Sequence, residues 1–383
     1  MTDRRRNLFI LLLVAGLLVA SLAVILTKPT RLGLDLKGGV SLIYQGKPTK
    51  QSQVTSASVN RAIDVMRKRV DQLGVAEPSL QRSGADQIDV SLPDVKNADE
   101  AAAQVGTVAQ LWFYDWEGSV VGPNCKPDPA NTTVTGGPSA GISAAPPALS
   151  LFDAVTRGAK CPRTNTGKES SGDKLYLVDK KTKHVLVGPD ESRADLERDA
   201  QARKLPFNAD QIVTVPQGVT LVRAEQDDPK GKPSNLWYVL KDQTVLGGKD
   251  IKNPEQSFDN GAGGTGAPNV LFDFTGRGAS TWETFTKKLA QRGQEQALGT
   301  SADASDQHFA IVLDNELISA PQIQWQKYAN GIPSGGGSEI SGGFTIETAQ
   351  RLANLLKTGA LPIKLQLISS SQVSATLGKQ ALH

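Results

Sequence analysis

The sequence predicts an α+β protein with one N-terminal transmembrane helix, then a split base of two ferredoxin-like βαββαβ units with an inserted mainly-β head domain. Three observations lead to this prediction. An uncharged apolar run opens the chain, and a β-α-β-β-α-β order of periodicities occurs twice in the remainder. A segment of short strand patterns and loop-forming residues separates the two occurrences.

The apolar run extends from Leu8 to Leu26 and follows three arginines at positions 4–6. At about 1.5 Å rise per residue, a helix of this length nearly matches a hydrocarbon core of roughly 30 Å. Because basic residues stay on the cytoplasmic side, we expect a cytoplasmic N-terminus (1–7), a transmembrane helix (8–27) and an extracytoplasmic remainder. The alternatives are a buried core helix and a cleavable signal peptide, but the weak cleavage site at Ser21-Leu22-Ala23 lies inside the run.

Composition limits the function. The 42 basic and 39 acidic residues give a net charge of +3 and are mixed along the chain, so no nucleic-acid partner is indicated. Cys125 and Cys161 lie outside the cytoplasm on this topology, where a disulfide is permitted. Sequence separation does not show whether they come close enough to pair.

The first half of the base is assigned to residues 28–116. Alternating apolar residues predict strands at Val40 to Tyr44 and at Ile88 to Leu92, with a short strand around Leu80. The first helix has one apolar stripe, formed by Val59, Ile63, Met66, Val70 and Leu73, and its arginines and lysine lie off that stripe: Arg61, Arg67, Lys68 and Arg69. A short helix after Asp99-Glu100 and a strand from Leu111 to Trp116 complete the unit.

The second half of the base is assigned to residues 269–370. Strands are predicted around Val270 to Phe274, Phe309 to Leu313, Leu317 to Ile323 and Ile363 to Leu367. The helices are predicted around Trp282 to Leu289 and from Thr345 to Lys357. Residues 371–383 are interpreted as the approach to a second membrane span.

The inserted head is assigned to residues 117–252 and its return linker to residues 253–268. Five short strand patterns and one polar helix, around Ser192 to Arg203, fall within the head, and Asn131 to Ser150 has the composition of a loop. The linker is rich in glycine, which suits a hinge. The predicted hinge residues are Glu117, Gly261, Gly264 and Pro268.

No motif in the chain indicates catalysis, a cofactor or a metal. Gly261, Gly263 and Gly266 satisfy G-x-G-x-x-G, but a loop precedes them and a strand follows, which is the reverse of a dinucleotide site. The three histidines are scattered without a second ligand at metal-binding spacing. No carboxylate pair or nucleophile motif stands out, so we expect a protein that is not an enzyme.

Two glycine-bearing stretches remain. Leu32 to Gly39 follows the membrane run, and Gly342 to Pro362 contains the last predicted helix. Each has a structural interpretation, since Gly38-Gly39 permits a tight turn, Thr345 can cap a helix and Gly359 can end one.

Taken together, the two stretches closely resemble the SecD protein-export family. The first matches its signature after the first membrane span through Leu32, Gly33, Leu34, Asp35, Leu36, Gly38 and Gly39. The second matches through Asp314, Ser319, Ala320, Pro321, Gly342, Phe344, Thr345, Ala349, Leu352, Ala353, Leu356, Gly359, Ala360, Leu361 and Pro362. Val245 to Ile251 resembles the family at the return from head to base, whereas most of the head resembles it only loosely.

The resemblance implies a subunit of the Sec protein-export machinery in the cell membrane. Its partners would be SecF, the SecYEG channel, the cytoplasmic membrane and unfolded preprotein. In that family an extracytoplasmic base and mobile head hold emerging preprotein, and the proton motive force drives their motion. For Asp35 two roles stay open: ordering the Gly38-Gly39 turn, or coupling the base to the membrane.

The family continues into further membrane spans where this sequence stops at His383. The chain is therefore expected to be a fragment, with a natural half-protein as the alternative. Two other functions stay open: a membrane-anchored extracytoplasmic binding or scaffold protein, and the periplasmic part of a related exporter of the RND superfamily.

Overall fold

The computed structural model describes most of the chain. The described residues are 10–18, 21, 38–49, 52–72, 75, 78–93, 95, 97–126, 148–164, 172–224, 234–260, 266–297, 305–333, 338–340 and 344–373.

Helices and strands follow the α+β class that the sequence predicts. The helices are α1 (Ser56–Gln72), α2 (Ala98–Gly106), α3 (Trp116–Ser119), α4 (Leu151–Ala159), α5 (Arg193–Ala202), α6 (Gly276–Gln296) and α7 (Ile346–Thr358). The strands before α6 are β1 (Gly39–Lys47), β2 (Ser79–Ser83), β3 (Gln87–Pro93), β4 (Leu111–Asp115), β5 (Leu149–Ser150), β6 (Lys174–Asp179), β7 (His184–Asp190), β8 (Ile212–Val215), β9 (Val219–Arg223), β10 (Leu236–Lys241), β11 (Thr244–Gly247), β12 (Ile251–Phe258) and β13 (Pro268–Phe274). The later strands are β14 (Gln307–Leu313), β15 (Glu316–Ser319), β16 (Gln322–Ile323), β17 (Ser338–Ile340) and β18 (Lys364–Val373).

Residues 39–106 form three strands and both helices of a ferredoxin-like antiparallel sheet, but its last strand comes from the other end of the chain. The strand order is β18-β1-β3-β2, and β18 takes the place that the sequence analysis gave to the strand from Leu111 to Trp116. Helices α1 and α2 cover one face of this sheet, with Tyr44, Met66 and Ile88 among the residues buried between them. The prediction of a first unit complete within residues 28–116 is therefore wrong.

Strand β4 lies instead inside an eight-stranded sheet, between β11 and β14. Its residues Leu111 and Phe113 pack into one hydrophobic core, and Trp112 and Tyr114 pack into another on the opposite face. A strand that is apolar on both faces needs cover on both faces, which the first sheet does not provide. The central position in the larger sheet satisfies this need.

The prediction of a second complete ferredoxin-like unit over residues 269–370 is also wrong. Its strands are divided among sheets, with β13 pairing β12 and β17, β14 pairing β4 and β15, and β18 pairing β1. The predicted helices are present as α6 and α7, and their apolar faces pack on these strands around Trp282, Phe285 and Leu352.

Part of the predicted linker is a strand. Residues 251–258 form β12, which pairs antiparallel with β13 from Ile251↔Phe274 to Phe258↔Pro268. The register shifts between Lys252 and Glu255, next to Asn253 with its positive φ of 52°. The glycine-rich composition that suggested a linker belongs to the connection of this hairpin, of which Gly261 and Gly264 lie outside the described residues.

The head contains the strands and the polar helix that the sequence predicts, as β6 to β10 and α5. Strands β7-β6-β8 form a small sheet with α5 on one face, where Leu177 and Leu196 are buried. On the other face, Tyr176 and Val178 pack with helix α4, which the sequence analysis missed. Strands β9 and β10 continue the eight-stranded sheet toward β5, so the head shares a sheet with β4 and β14.

Cys125 and Cys161 form a disulfide with a Cα–Cα distance of 5.2 Å, which confirms the pairing that the sequence permits. Cys161 lies in the core between α4 and the small sheet.

Half of the predicted transmembrane helix, 8–27, lies outside the described residues. Residues 10–18 of it are helical and exposed. Among the residues that the structure describes, no helix has the length and apolar character needed to cross a bilayer.

Candidate functional site

An open cleft of about 680 Å³ lies between strand β11 and helix α6. We call it the edge cleft; it is lined by Asp115, Gly118, Ser119, Gln243, Thr244, Val245, Ser280, Thr281, Thr284, Phe285, Lys288 and Arg292. Its volume falls within the range of protein binding sites, and its lining is rich in hydroxyl groups.

One wall of the edge cleft is the end of a sheet. Strand β11 pairs with β4 on one side and is the last strand in the order of the eight-stranded sheet. The register shifts at Val245, which has no partner residue on β4. An edge strand presents backbone donors and acceptors that a further extended chain can pair with.

The other wall is one polar stripe of α6. Ser280, Thr284, Lys288 and Arg292 recur every four residues and therefore lie on one face of the helix. Thr275 caps the helix by accepting a hydrogen bond from the Gly278 backbone N–H, at 3.2 Å.

The apolar face of α6 is fixed in the core, where Trp282 and Leu289 are buried. Phe285 is also buried and lies at the border between this face and the edge cleft, which it helps to line. Gly278 allows close packing at the start of the helix, because a Cβ there would come within 2.3 Å of the Asp250 carbonyl oxygen. The polar stripe is thus held against the sheet edge by a rigid helix.

A network of charged residues includes two residues of the cleft lining, Asp115 and Arg292. The Arg292 guanidinium donates to both carboxylate oxygens of Asp115, at 2.7 and 2.8 Å, and to Glu117 at 3.3 Å. Glu117 also accepts from the His308 backbone N–H and contacts the His308 ring Nδ1 at 2.7 Å. Burial alone would lower the pKa of Arg292, but hydrogen bonding and the charges of Asp115 and Glu117 raise it above its ordinary value.

This network bears on the predicted hinge at Glu117. Its side chain is 8% exposed and is held by Arg292 of α6 and His308 of β14. The hinge therefore stays a prediction, and motion there would have to break these contacts. Arg292 and His308 cannot be recognised from the sequence as partners of Glu117, because they lie 175 and 191 positions away from it.

A second cluster lies where two connecting segments of the chain, residues 107–110 and 359–361, contact each other. We call this place the crossing. Asp314, in the turn between β14 and β15, accepts hydrogen bonds from the backbone N–H groups of Ala109 and Gln110, at 2.8 and 2.9 Å. The backbone N–H of Leu361 donates to the Val108 carbonyl at 2.8 Å. Residues 107–110 and 359–361 are therefore bound to each other and to this turn.

Arg69 of α1 reaches into the same crossing, with 4% of its surface exposed. Its guanidinium donates to the carbonyls of Val105 (3.3 Å), Thr107 and Gly359 (3.0 Å) and to the Thr358 hydroxyl (3.4 Å). Arg69 was predicted to lie off the apolar stripe of α1, and the structure adds that it is nevertheless buried. Burial lowers the pKa of Arg69 to about 10, an effect that the charge of Asp314 opposes.

Burial also raises the pKa of Asp314, while its hydrogen bonds from Gln110 and Ala109 and the charge of Arg69 oppose that rise. The two charges stabilise each other across the crossing without direct contact between their side chains.

The other residues of the second signature stretch have structural positions. Thr345 caps α7, Ala349, Leu352 and Ala353 are buried in the core, and Gly359 has a φ of +84° at the end of the helix. Phe344 and Leu356 pack against the same core, Ala320 is buried, and the Pro321 carbonyl accepts from the Phe309 N–H. Ala360 is exposed, and the Pro362 carbonyl accepts from the Thr49 hydroxyl.

Several predicted site residues fall outside the described part of the chain: Leu32, Gly33, Leu34, Asp35, Leu36, Gly342, Gly261 and Gly264. Gly38 and Gly39 have positive φ angles of 73° and 145° at the start of β1, which fits the predicted turn. Pro268 begins β13 and pairs with Phe258. Within the described ranges, no group of three or more potential ligands is placed to hold a metal ion.

Two family models match the chain. The model described as SecDF, P1 head subdomain, matches residues 221–363, and the model for the N-terminal part of the P1 domain of protein translocase subunit SecDF matches residues 59–118. The head match extends over α6, α7 and the strands between them, which the sequence analysis assigned to the base.

Curated relatives and solved structures are similar over most of the chain. Protein translocase subunit SecD of Acidaminococcus fermentans is 38% identical over 376 residues, which cover 96% of this chain and 54% of the relative. The SecD of Synechocystis sp. is 26% identical, with 99% of this chain and 62% of the relative covered. A crystal structure of SecDF in a super-membrane-facing form is 24% identical, with a TM-score of 0.45 and coverage of 96% of this chain and 35% of that one. The chain thus spans little more than half the length of these curated relatives.

Proposed function

Because the chain belongs to the SecD family of non-enzymatic protein translocase subunits, we propose that it holds unfolded preprotein during protein export and that the edge cleft is where the polypeptide binds. The observation that carries this proposal is the outer edge of β11, which pairs with no further strand among the described residues and borders a cleft large enough for several extended residues.

Extended polypeptide fits this cleft for a physical reason. A chain that adds to a sheet edge is bound through its backbone, which every sequence possesses. The hydroxyl-bearing stripe of α6 offers donors and acceptors to many side chains. Such a site holds successive segments of a chain without strong preference for sequence, as a protein-export subunit requires.

The membrane and partner assignments belong to the same proposal. Residues 8–27 span the cell membrane with the N-terminus in the cytoplasm, and the described domains lie outside it. SecF and the SecYEG channel are the partners, and the proton motive force drives release of the polypeptide. The support for these statements is the family and the apolar run that follows the arginines.

A steric block tests the binding site. Thr284→Trp places a large ring at an exposed position inside the edge cleft without disturbing the buried face of α6. Loss of two or more backbone hydrogen bonds should weaken binding of a reduced and alkylated model protein by about tenfold or more. Fluorescence anisotropy of the labelled polypeptide measures the affinity.

The matched control is Gln294→Trp, which adds the same ring at an exposed position of α6 outside the cleft. We expect it to bind as the unmodified chain does. Equal affinities for both variants would place the polypeptide elsewhere. Tight binding of small apolar compounds, with none of polypeptide, would favour the exporter alternative.

A further inference from the structure

One ion pair joins two distant parts of the fold. Lys47, the last residue of β1, donates to the Asp195 carboxylate in the first turn of α5, with an Nζ–Oδ1 distance of 2.9 Å. The two residues are 148 positions apart. Their side chains are 21% and 27% exposed, so the pair lies where water and salt reach it.

The lysine side of this contact is a pair of like charges. Lys47 and Lys364 are direct partners in the ladder between β1 and β18. Like charges at opposite positions of a sheet destabilise it, and nearby counter-charges relieve the repulsion. This corner of the four-stranded sheet therefore favours an acidic partner.

The acidic partner is a group of three aspartates on the small sheet and its helix. Asp195 is oriented by the helix cap, since its side chain accepts from the Ser192 hydroxyl at 2.8 Å, and by Arg198. Asp190 and Asp199 lie close enough for their charges to influence each other, and Lys47 and Lys364 counter the charge of Asp190. One oxygen of Asp190 is buried without a hydrogen-bond partner among the described residues.

The charge state of the pair fits an electrostatic contact. Burial alone would raise the pKa of Asp195, but hydrogen bonds from Lys47, Ser192 and Arg198 lower it to about 2. Burial raises the pKa of Asp190, and the charges of Asp199 and Asp195 add to that rise. Asp195 therefore stays ionised at neutral pH and is the main partner of the lysines.

The fold also supplies a pivot for this contact. The four-stranded sheet with α1 and α2 is joined to the rest of the chain through residues 107–110 and 359–363, which are bound to each other by the Leu361–Val108 hydrogen bond. Helix α1 also contacts α7 beside these connections. Rotation about this region would separate the lysine corner from the aspartates without breaking a strand pair, and it would shift α1 along α7.

We propose that Lys47 and Lys364 form an electrostatic latch with Asp190, Asp195 and Asp199. The latch holds the small sheet (β7-β6-β8) and α5 against the four-stranded sheet, and it opens when its charges are screened. This device is independent of which ligand the edge cleft binds. It sets the population of a closed form that the chain adopts by itself.

The test measures the distance across the latch. Spin labels are attached to cysteines introduced at Arg61 of α1 and Glu197 of α5, both exposed, in the oxidised full chain. Pulsed electron resonance should show one narrow distance at low salt. Raising the salt from about 0.05 M to about 1 M shortens the Debye length to roughly 3 Å and should populate longer distances.

The variant Lys47→Gln/Lys364→Gln, and separately Asp195→Asn, should lower the ratio of closed to open forms by about two- to fivefold at low salt. Lys68→Gln removes the same charge from an exposed position of α1 and should leave the ratio unchanged. The proposal is overturned if both latch variants keep the distance distribution of the unmodified chain, or if salt has no effect on that chain.

Discussion

Replacement of Arg69 with alanine is expected to lower the free energy of unfolding by about 3–5 kcal/mol. The Arg69 guanidinium donates to the carbonyls of Val105, Thr107 and Gly359 at a site with almost no access to water. Alanine removes these hydrogen bonds from a buried site, and it takes away one of the two positive charges, Arg69 and Lys364, that favour the ionised Asp314. Equilibrium urea unfolding, followed by circular dichroism, measures the loss.

Two further variants make this prediction specific. Arg67→Ala removes the same side chain from an exposed position two residues away and should change stability by less than about 0.5 kcal/mol. Arg69→Lys keeps the charge, but its ammonium lacks the planar fork that reaches several acceptors at once, so we expect a loss between those of the two alanine variants. Equal stabilities of Arg69→Ala and Arg67→Ala would show that the crossing does not depend on Arg69.

Removal of the disulfide is expected to be the second large effect. Cys125 and Cys161 are separated by 36 positions, and closing a loop of that length stabilises the folded state by about 4 kcal/mol in the chain-entropy description. The double variant Cys125→Ala/Cys161→Ala should lose about that amount from the transition that unfolds the core around α4. Urea unfolding monitored by hydrogen exchange resolves this transition from the others.

Reduction of the unmodified chain is the matched comparison, because it opens the same loop without changing the sequence. The reduced chain and the double variant should unfold together, at lower urea than the oxidised chain. The four-stranded sheet, whose core contains neither cysteine, should keep its exchange protection in both. If the reduced chain were as stable as the oxidised chain, the disulfide would not stabilise the fold and the prediction would be contradicted.

Local patterns predicted most of the helices and strands, because periodicity reports which face of an element is buried. Alternation identified β1, β3 and β13, and the apolar stripe identified α1. The pattern of β4 differs from this alternation, because its residues Leu111 to Tyr114 are all apolar. Continuous burial predicts a central strand that is covered on both faces. The order of the elements instead led to the assignment of β4 to the first sheet.

The burial of Arg69 and the edge cleft depend on contacts between residues far apart in the sequence, and local patterns do not record such contacts. Arg69 follows Met66 by three positions and so lies at the border of the apolar stripe, yet its burial is decided by residues 107 and 358–359. The edge cleft likewise needs α6, which begins at Gly276, to pack beside the edge strand that begins at Thr244. Its polar stripe resembles any solvated helix face until that neighbour is known.

Site-specific photo-crosslinking tests polypeptide binding at the edge cleft directly. A small diazirine amino acid, photo-leucine, which is close in size to the threonine that it replaces and so does not block the cleft, is introduced at Thr284, inside the cleft, or at Gln294, on the same helix outside it. Each variant is placed in membranes that hold a secretory precursor stalled during export. We predict a crosslink to the precursor from position 284 and none from position 294. Crosslinking from both positions alike, or from neither, would contradict binding in this cleft.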